Sequence, residues 1–232
     1  MVSLLIATRN RAEQLRRGLE SIRPYRAVPD EIILIDDSST DGTGELLAQN
    51  ADWISTYRID RNGEFRANPS AVWNYAHKLS RGEICIEQGG EVCHLTNCIT
   101  LLVESCKPGV VVLARVHHGT PKEMKRLAQI MASGQYEFPE DFTPAAIQFN
   151  ADHIPVPYVG AHQTRLYCGM ERPVPFLFLG AIHRQDFERV GGYDVTIERN
   201  NDGDLARRLW ATGVRFRFSG RAVVFHLEHG KS

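Results

Sequence analysis

Two histidines three residues apart, His226 and His229, follow an apolar run, Ala222-Val223-Val224-Phe225, near the C-terminal end of this 232-residue chain. Imidazoles so placed suit a metal at the end of a strand. A satisfied strand-end histidine is the competing reading for His226. Residues three apart on a strand face opposite sides, so the pair converges on one ion only if the backbone bends after Phe225. The sequence supplies acids to go with them. Asp36-Asp37 follows a second apolar run, Glu91 follows a third, and Asp202-Gly203-Asp204 opens a late helical pattern. Glu91, His226 and His229 form a mixed oxygen and nitrogen set. Such a set favours Mn²⁺ over Mg²⁺, because Mg²⁺ prefers oxygen alone. A metal, a diphosphate-bearing ligand and a carboxylate base in one site is the chemistry this inventory allows.

Elements at the right spacing must carry these residues. Val2–Ala7 and Glu31–Ile35 read as buried strands, and Glu83–Glu87 as a third. Residues 11–22 read as a helix with Leu15, Leu19 and Ile22 on one face. A second helix holds Leu46 and Leu47 after the Ser38–Gly42 turn. A third starts at Asn68-Pro69 and carries Val72, Ala76 and Leu79. Strands alternating with helices predict an α/β fold with a doubly wound, mainly parallel central sheet. Such sheets bind ligands beyond the carboxyl ends of their strands, where Thr8, Arg9, Asp36 and Asp37 fall. Further on, Val110–Val116 and Phe176–Ile182 read as strands, and residues 121–133, Arg184–Val190 and Asp202–Thr212 as helices. Between Glu137 and Pro175 six prolines interrupt any period. One continuous domain, 1–232, is expected.

Composition is that of an ordinary globular protein: 43% apolar, 24% charged, net charge −1. No global field recruits nucleic acid or an anionic membrane. No apolar run reaches the roughly 20 residues of a membrane span, and the first residues lack the features of a signal peptide. The five cysteines form no C-x-x-C pair and read as reduced, buried thiols of a cytoplasmic protein.

Ser3-Leu4-Leu5-Ile6-Ala7-Thr8-Arg9-Asn10-Arg11 and Ile35-Asp36-Asp37-Ser38-Ser39-Thr40-Asp41-Gly42-Thr43 resemble the nucleotide-binding half of family 2 glycosyltransferases, which have the GT-A fold. Asn74, then Gly82-Glu83, is similar to a further family segment, with Trp73 in place of its arginine. Phe178–Ile182, Gly191-Gly192-Tyr193-Asp194 and Asp202–Leu209 resemble the acceptor side, especially that of β-1,4-galactosyltransferases, which also end on a metal-binding histidine pair. The family's metal-binding Asp-x-Asp falls here at Gly89-Gly90-Glu91, where only Glu91 can ligate.

The resemblance implies a nucleotide-sugar-binding half, 1–104, and an acceptor and catalytic half, 105–232. Asp37 would face the base, ideally uracil, and Asp36 the ribose or metal region. Both acids also suit turn formation. Thr8 and Arg9 would flank the base, and Asn74 and Asp204 would belong to the substrate side, while Arg66 is a candidate diphosphate contact with a solvated loop cation as its alternative. Turn formation competes for Asp204. Gly180, Gly191 and Gly192 leave room for a sugar against the backbone. Asp202 would be the general base, helix capping being its alternative, and a lone base with no carboxylate nucleophile implies inversion.

The expected activity is therefore metal-assisted, inverting transfer of a sugar from a nucleotide-diphosphate sugar, ideally a UDP-sugar, to an acceptor hydroxyl. The alternative is an inactive nucleotide- or glycan-binding module of the same fold. A nucleotidyltransferase is disfavoured by the absence of glycine from Ala7–Arg11, and a zinc hydrolase by the absence of H-E-x-x-H. The acceptor (a glycan, a lipid-linked sugar, a protein or a modified nucleic-acid base) has no motif. A cytoplasmic location, with or without peripheral contact to a membrane, is the expectation.

Overall fold

The computed structural model describes residues 1–60, 69–138, 177–197 and 200–229, and the backbone of two short strands, Tyr158–Val159 and Arg165–Cys168. Arg66 and most of the proline-interrupted stretch lie outside the described residues.

Three parallel strands start the sheet: β1 (Val2–Thr8), β2 (Glu31–Asp37) and β3 (Ser55–Ile59), the last absent from the sequence reading. Helix α1 (Ala12–Ile22) returns the chain from β1 to β2 and buries Leu15, Leu19 and Ile22, the face its apolar spacing predicts. Helix α2 (Thr43–Ala48) follows β2. Helix α3 (Pro69–Leu79) lays Val72, Trp73 and Ala76 on the sheet, ahead of β4 (Ile84–Gly89), which pairs with β1 in parallel. Leu4, Leu5, Ile6, Leu34, Ile35 and Ile86 are sealed from solvent on both faces, as expected of parallel strands covered by helices.

Beyond β4 the sheet departs from the mainly parallel expectation. This half begins with β5 (Val92–His94), α4 (Cys98–Ser105), β6 (Val110–Gly119), α5 (Pro121–Ala132), and the short pair β7 (Tyr158–Val159) and β8 (Arg165–Cys168). They are followed by β9 (Leu179–His183), α6 (Arg184–Arg189), α7 (Asn201–Ala211) and β10 (Arg215–Leu227). The strand order is β3-β2-β1-β4-β9-β6-β10-β5. Strand β9 runs antiparallel to both β4 and β6, β10 is parallel to β6, and β5 is antiparallel to β10. The sheet is mixed because β9 enters between β4 and β6 from the opposite end. A short apolar run such as Phe178–Ile182 carries no signal of direction. Strand β10 is longer than its apolar core, because Phe216 and Phe218 are buried while Arg215 and Arg217 alternate outward. Its register on β6 shifts between Ser219 and Val223, a bulge that bends a long strand.

Candidate active site

The carboxyl ends of β1, β2 and β4 open on a cavity of about 290 Å³. Its polar lining comes from Thr8, Arg9, Arg11, Asp37, Glu91, Asn201 and Asp202. Trp73, Val72, Leu177 and Phe178 supply apolar wall. The loops at this rim are held tightly. Asp41 accepts from the backbone N–H of Ala12 at 2.9 Å and of Thr43 at 3.0 Å, while the Asn10 side chain accepts from Thr40 N at 2.8 Å. Asn10, Ser38 and Asn200 all adopt positive φ, at 47°, 57° and 55°. Backbone strain of this kind concentrates where a site is shaped. Two buried donors on the lining, Thr8 Oγ1 and Asn201 Nδ2, have no partner among the described residues. Such groups are costly unless a ligand or water satisfies them.

Glu91, His226 and His229 converge, with one ligand atom from each within 4.8 Å of the others. Glu91 Oε1 lies 3.2 Å from His226 Nε2 and 3.9 Å from His229 Nε2. The bend that brings the histidines together comes after Leu227 rather than Phe225. His226 is still within β10, Leu227 N bonds to Glu91 O at 3.0 Å, and Glu228 N bonds to Gly119 O at 2.8 Å as the strand ends. Phe178 packs edge-on to His226, and His118 Nδ1 meets His226 Nδ1 at 3.0 Å. One of that nitrogen pair must donate. When a neutral His226 does so, its Nε2, 3.2 Å from Glu91 Oε1, carries the lone pair that a cation set between the two would take. Arg11 enters the same cluster, with Nη1 2.9 Å from Glu91 Oε2 and Nη2 3.5 Å from His229 Nδ1. Burial alone would raise the Glu91 carboxyl. The hydrogen bond from His226 and the charges of Arg11, His226 and His229 overcome it and hold the group at about 2. A permanently ionised carboxylate beside two imidazoles fits a divalent cation.

Gly89 and Gly90 explain how one acid stands where two are usual. A Cβ on Gly89 would sit 3.2 Å from the Glu91 carboxylate, so the longer Glu91 side chain already fills that space. A Cβ on Gly90 would meet Thr8 Oγ1 at 2.7 Å. Gly90 is the price of packing the β4 turn against β1.

Asp202 sits in the first turn of α7 and lines the cavity. Burial, together with the negative charge of Glu87, pushes its carboxyl up to about 7, against the pull of hydrogen bonds from Leu177 N–H and the Tyr193 hydroxyl. Of the other sequence candidates, Thr8, Arg9 and Asp37 line the cavity and Asp36 does not. Asp36 turns under the rim, accepting from Ser39 N at 3.0 Å and pairing with Arg58 at 2.7 Å. Asp204 pairs with Arg207 and Arg208, each at 2.7 Å, away from the cavity. Asn74 grips the backbone of Tyr193, donating to its carbonyl at 2.8 Å and accepting from its N–H at 2.9 Å. The space a sugar would need beside Gly180 belongs to Leu177 and Leu113, whose methyls lie 2.7 and 2.8 Å from a Cβ built there. Sequence reasoning missed Arg11, Asn201, Glu87 and Tyr193. Only Glu87 left a signal, an acid closing the buried run Ile84-Cys85-Ile86.

An α/β sheet, parallel over β1–β4 and mixed beyond, with an acid- and arginine-lined cavity at its strand ends is the architecture of a ligand-binding α/β fold. The chain matches the family model "Glycosyl transferase family 2" over residues 3–164 and belongs to that family. Comparison with curated proteins finds no match. Three examples come from the many solved structures that share the fold. GalNAc-T7 with UDP, GalNAc and Mn²⁺ is 15% identical at TM-score 0.63, covering 100% of this chain and 44% of that one. The mannosyltransferase PcManGT of Pyrobaculum calidifontis with GDP-Man and Mn²⁺ is 18% identical at 0.56, covering 97% and 56%. S. aureus TarS 1-349 is 12% identical at 0.62, covering 97% and 60%. The chain thus spans about half the length of these neighbours.

Proposed function

We propose that this protein transfers a sugar, with inversion, from a nucleotide-diphosphate sugar to an acceptor hydroxyl. The observation that carries this reading is a buried carboxyl poised at about 7, Asp202, in the same cavity as Asp37 and as Glu91, the member of the Glu91–His226–His229 cluster that lines it. Two of the structural neighbours hold a nucleotide or nucleotide sugar together with Mn²⁺.

Thr8, Arg9 and Asp37 would hold the nucleotide, with the Asp37 carboxylate accepting from the base and Arg9 lying against it. Trp73 and Val72 would exclude water from one wall. A divalent cation held by Glu91, His226 and His229 would neutralise charge on the departing diphosphate. Arg11, already among those ligands, supplies a fixed positive charge to the same region. The acceptor hydroxyl loses its proton to Asp202, whose affinity near neutrality suits it to take a proton at the working pH. Asn201 Nδ2, a buried donor beside the base, would orient a sugar hydroxyl. The reaction needs no carboxylate nucleophile, hence inversion.

Calorimetric titration with UDP, GDP and dTDP, each with and without Mn²⁺, tests the reading. Metal-dependent binding of one nucleotide supports it. Binding of none favours an inactive module, and metal-independent binding removes Glu91 and the histidines from the mechanism.

A further inference from the structure

Behind Asp202, on the side away from the cavity, lies a buried polar chain that the proposed transfer does not use. Glu87 is sealed inside the sheet on β4, between Leu5 of β1 and Gly180 of β9 in register. A carboxylate so buried persists only with close partners. It has two: His77 Nε2 at 2.7 Å and the Tyr193 hydroxyl at 2.5 Å. His77 is itself buried on α3 and stacked on Phe187 with ring centroids 3.6 Å apart. Burial works against its charged form, but neighbouring Cys85 and Glu87 prevail and raise it to about 9.

Tyr193 is the joint of this chain. Its backbone is clamped on both sides by Asn74, and its ring rests edge-on against Phe187. Gly192, at φ 72°, lets the turn approach so closely that a Cβ there would meet Asn74 Oδ1 at 2.6 Å. The hydroxyl so fixed donates to Glu87 at 2.5 Å and stands close enough to the Asp202 carboxyl for the two to interact. A phenol has one proton to donate. While Tyr193 donates to Glu87, it can only accept from Asp202, which must then be protonated. When Asp202 is ionised, the same O–H is contested by both.

We infer that Tyr193 is a positioning residue for Asp202, its single hydroxyl proton turning between Asp202 and the buried Glu87–His77 pair as Asp202 loses and gains a proton. This rests on the reading of Asp202 as the base. No covalent bond changes in the chain. The proton taken from the acceptor stays on Asp202, which donates to Tyr193 Oη, while Tyr193 donates to Glu87. Among the described residues, the other charged groups lining the cavity with Asp202 are Glu91, Arg11, Arg9 and Asp37. On its own helix, Asp204 is committed to Arg207 and Arg208, and from β10 Arg215 lies over Trp210.

The test is the carboxyl ¹³C titration of Asp202 by NMR, the resonance assigned by its loss in Asp202→Asn. Glu87→Gln, which keeps acceptors for His77 and Tyr193, should lower the Asp202 midpoint by a unit or more. Tyr193→Phe, which removes the one hydroxyl donor to ionised Asp202, should raise it. Opposite signs are the signature, since general loosening of the fold would move both midpoints toward the ordinary carboxylate range. If both variants leave the midpoint within 0.3 unit of the parent, or both lower it, the inference is wrong. Turnover of UDP-glucose and GDP-mannose by Asp202→Asn separates the two readings. Retained turnover with shifted midpoints sinks the base and leaves the link. Lost turnover with unmoved midpoints sinks the link and leaves the base.

Discussion

Asp202 is costly to the fold in a way that can be measured. Its folded carboxyl sits at about 7 against an ordinary value near 3.8. The stability linked to its protonated form is complete below about 3.8 and lost as pH rises through 7. At pH 8 the parent protein carries the whole penalty of a buried, ionised acid, on the order of a few kcal/mol. Asp202→Asn should therefore melt higher than the parent at pH 8, by a margin that shrinks toward pH 4, while abolishing transfer and leaving nucleotide affinity within a few fold. Thermal melts across that range check the first half, and calorimetry the second. Glu91 behaves oppositely. Held at about 2, it stays ionised throughout the working range, so its pairing with Arg11 and the histidines survives mild acid. His229→Ala should weaken nucleotide binding about tenfold, roughly 1.4 kcal/mol, with Mn²⁺ present and leave metal-free binding unchanged. Equal loss in both conditions would mean that His229 acts without a cation.

At the scale of elements, the contact between α1 and β5 decides where Glu91 stands. Gly18 is buried on α1, and a Cβ there would lie 2.8 Å from the Val92 carbonyl, next to Glu91 in sequence. Alanine is the better helix former by about 1 kcal/mol, yet overpacking against backbone costs about 1–3 kcal/mol and the carbonyl cannot step aside. Gly18→Ala should lower stability in denaturant titration and weaken Mn²⁺-dependent nucleotide binding, because β5 carries the turn from Glu91. A stabilised variant would show that α1 shifts freely on β5. Helix α1 itself was legible because its apolar residues recur at helical spacing. Strand β5 was not, because three residues, Val92-Cys93-His94, are too few to show alternation and are held by β10 from the far end of the chain. Strand β3, with four of its five residues exposed, lacks the apolar run that marks a buried strand.

At the scale of the whole molecule, the described cysteines and the sheet agree on a core held by packing, with no disulfide among the described residues. Cys85, Cys93, Cys98 and Cys106 are free and buried, and burial pushes Cys93, Cys98 and Cys106 up to about 12. Thiols so protonated react slowly. In the native protein a disulfide-exchange reagent should modify these four far more slowly than in denaturant, where all five cysteines react, and reductant should leave the melting temperature unchanged. Rapid native labelling of any of the four would contradict the packing around it. No helix among the described residues is long and apolar enough to cross a membrane.

What the sequence by itself determined is what repeats locally. The spacing of Leu15, Leu19 and Ile22, the apolar runs of β1, β2 and β4, and the motif order around Asp37, Glu91 and Asp202 are written in neighbouring residues. They sufficed for the α/β class and the family. What only the tertiary structure decided depends on residues far apart in the chain. The direction of β9, the bend after Leu227, the entry of Arg11 between Glu91 and His229, and the line from His77 through Glu87 and Tyr193 to Asp202 all join distant segments. A one-dimensional period reports which face of an element is apolar. It cannot report which charge a folded sheet will set 3 Å away, and in a buried site that charge fixes the protonation of the acid.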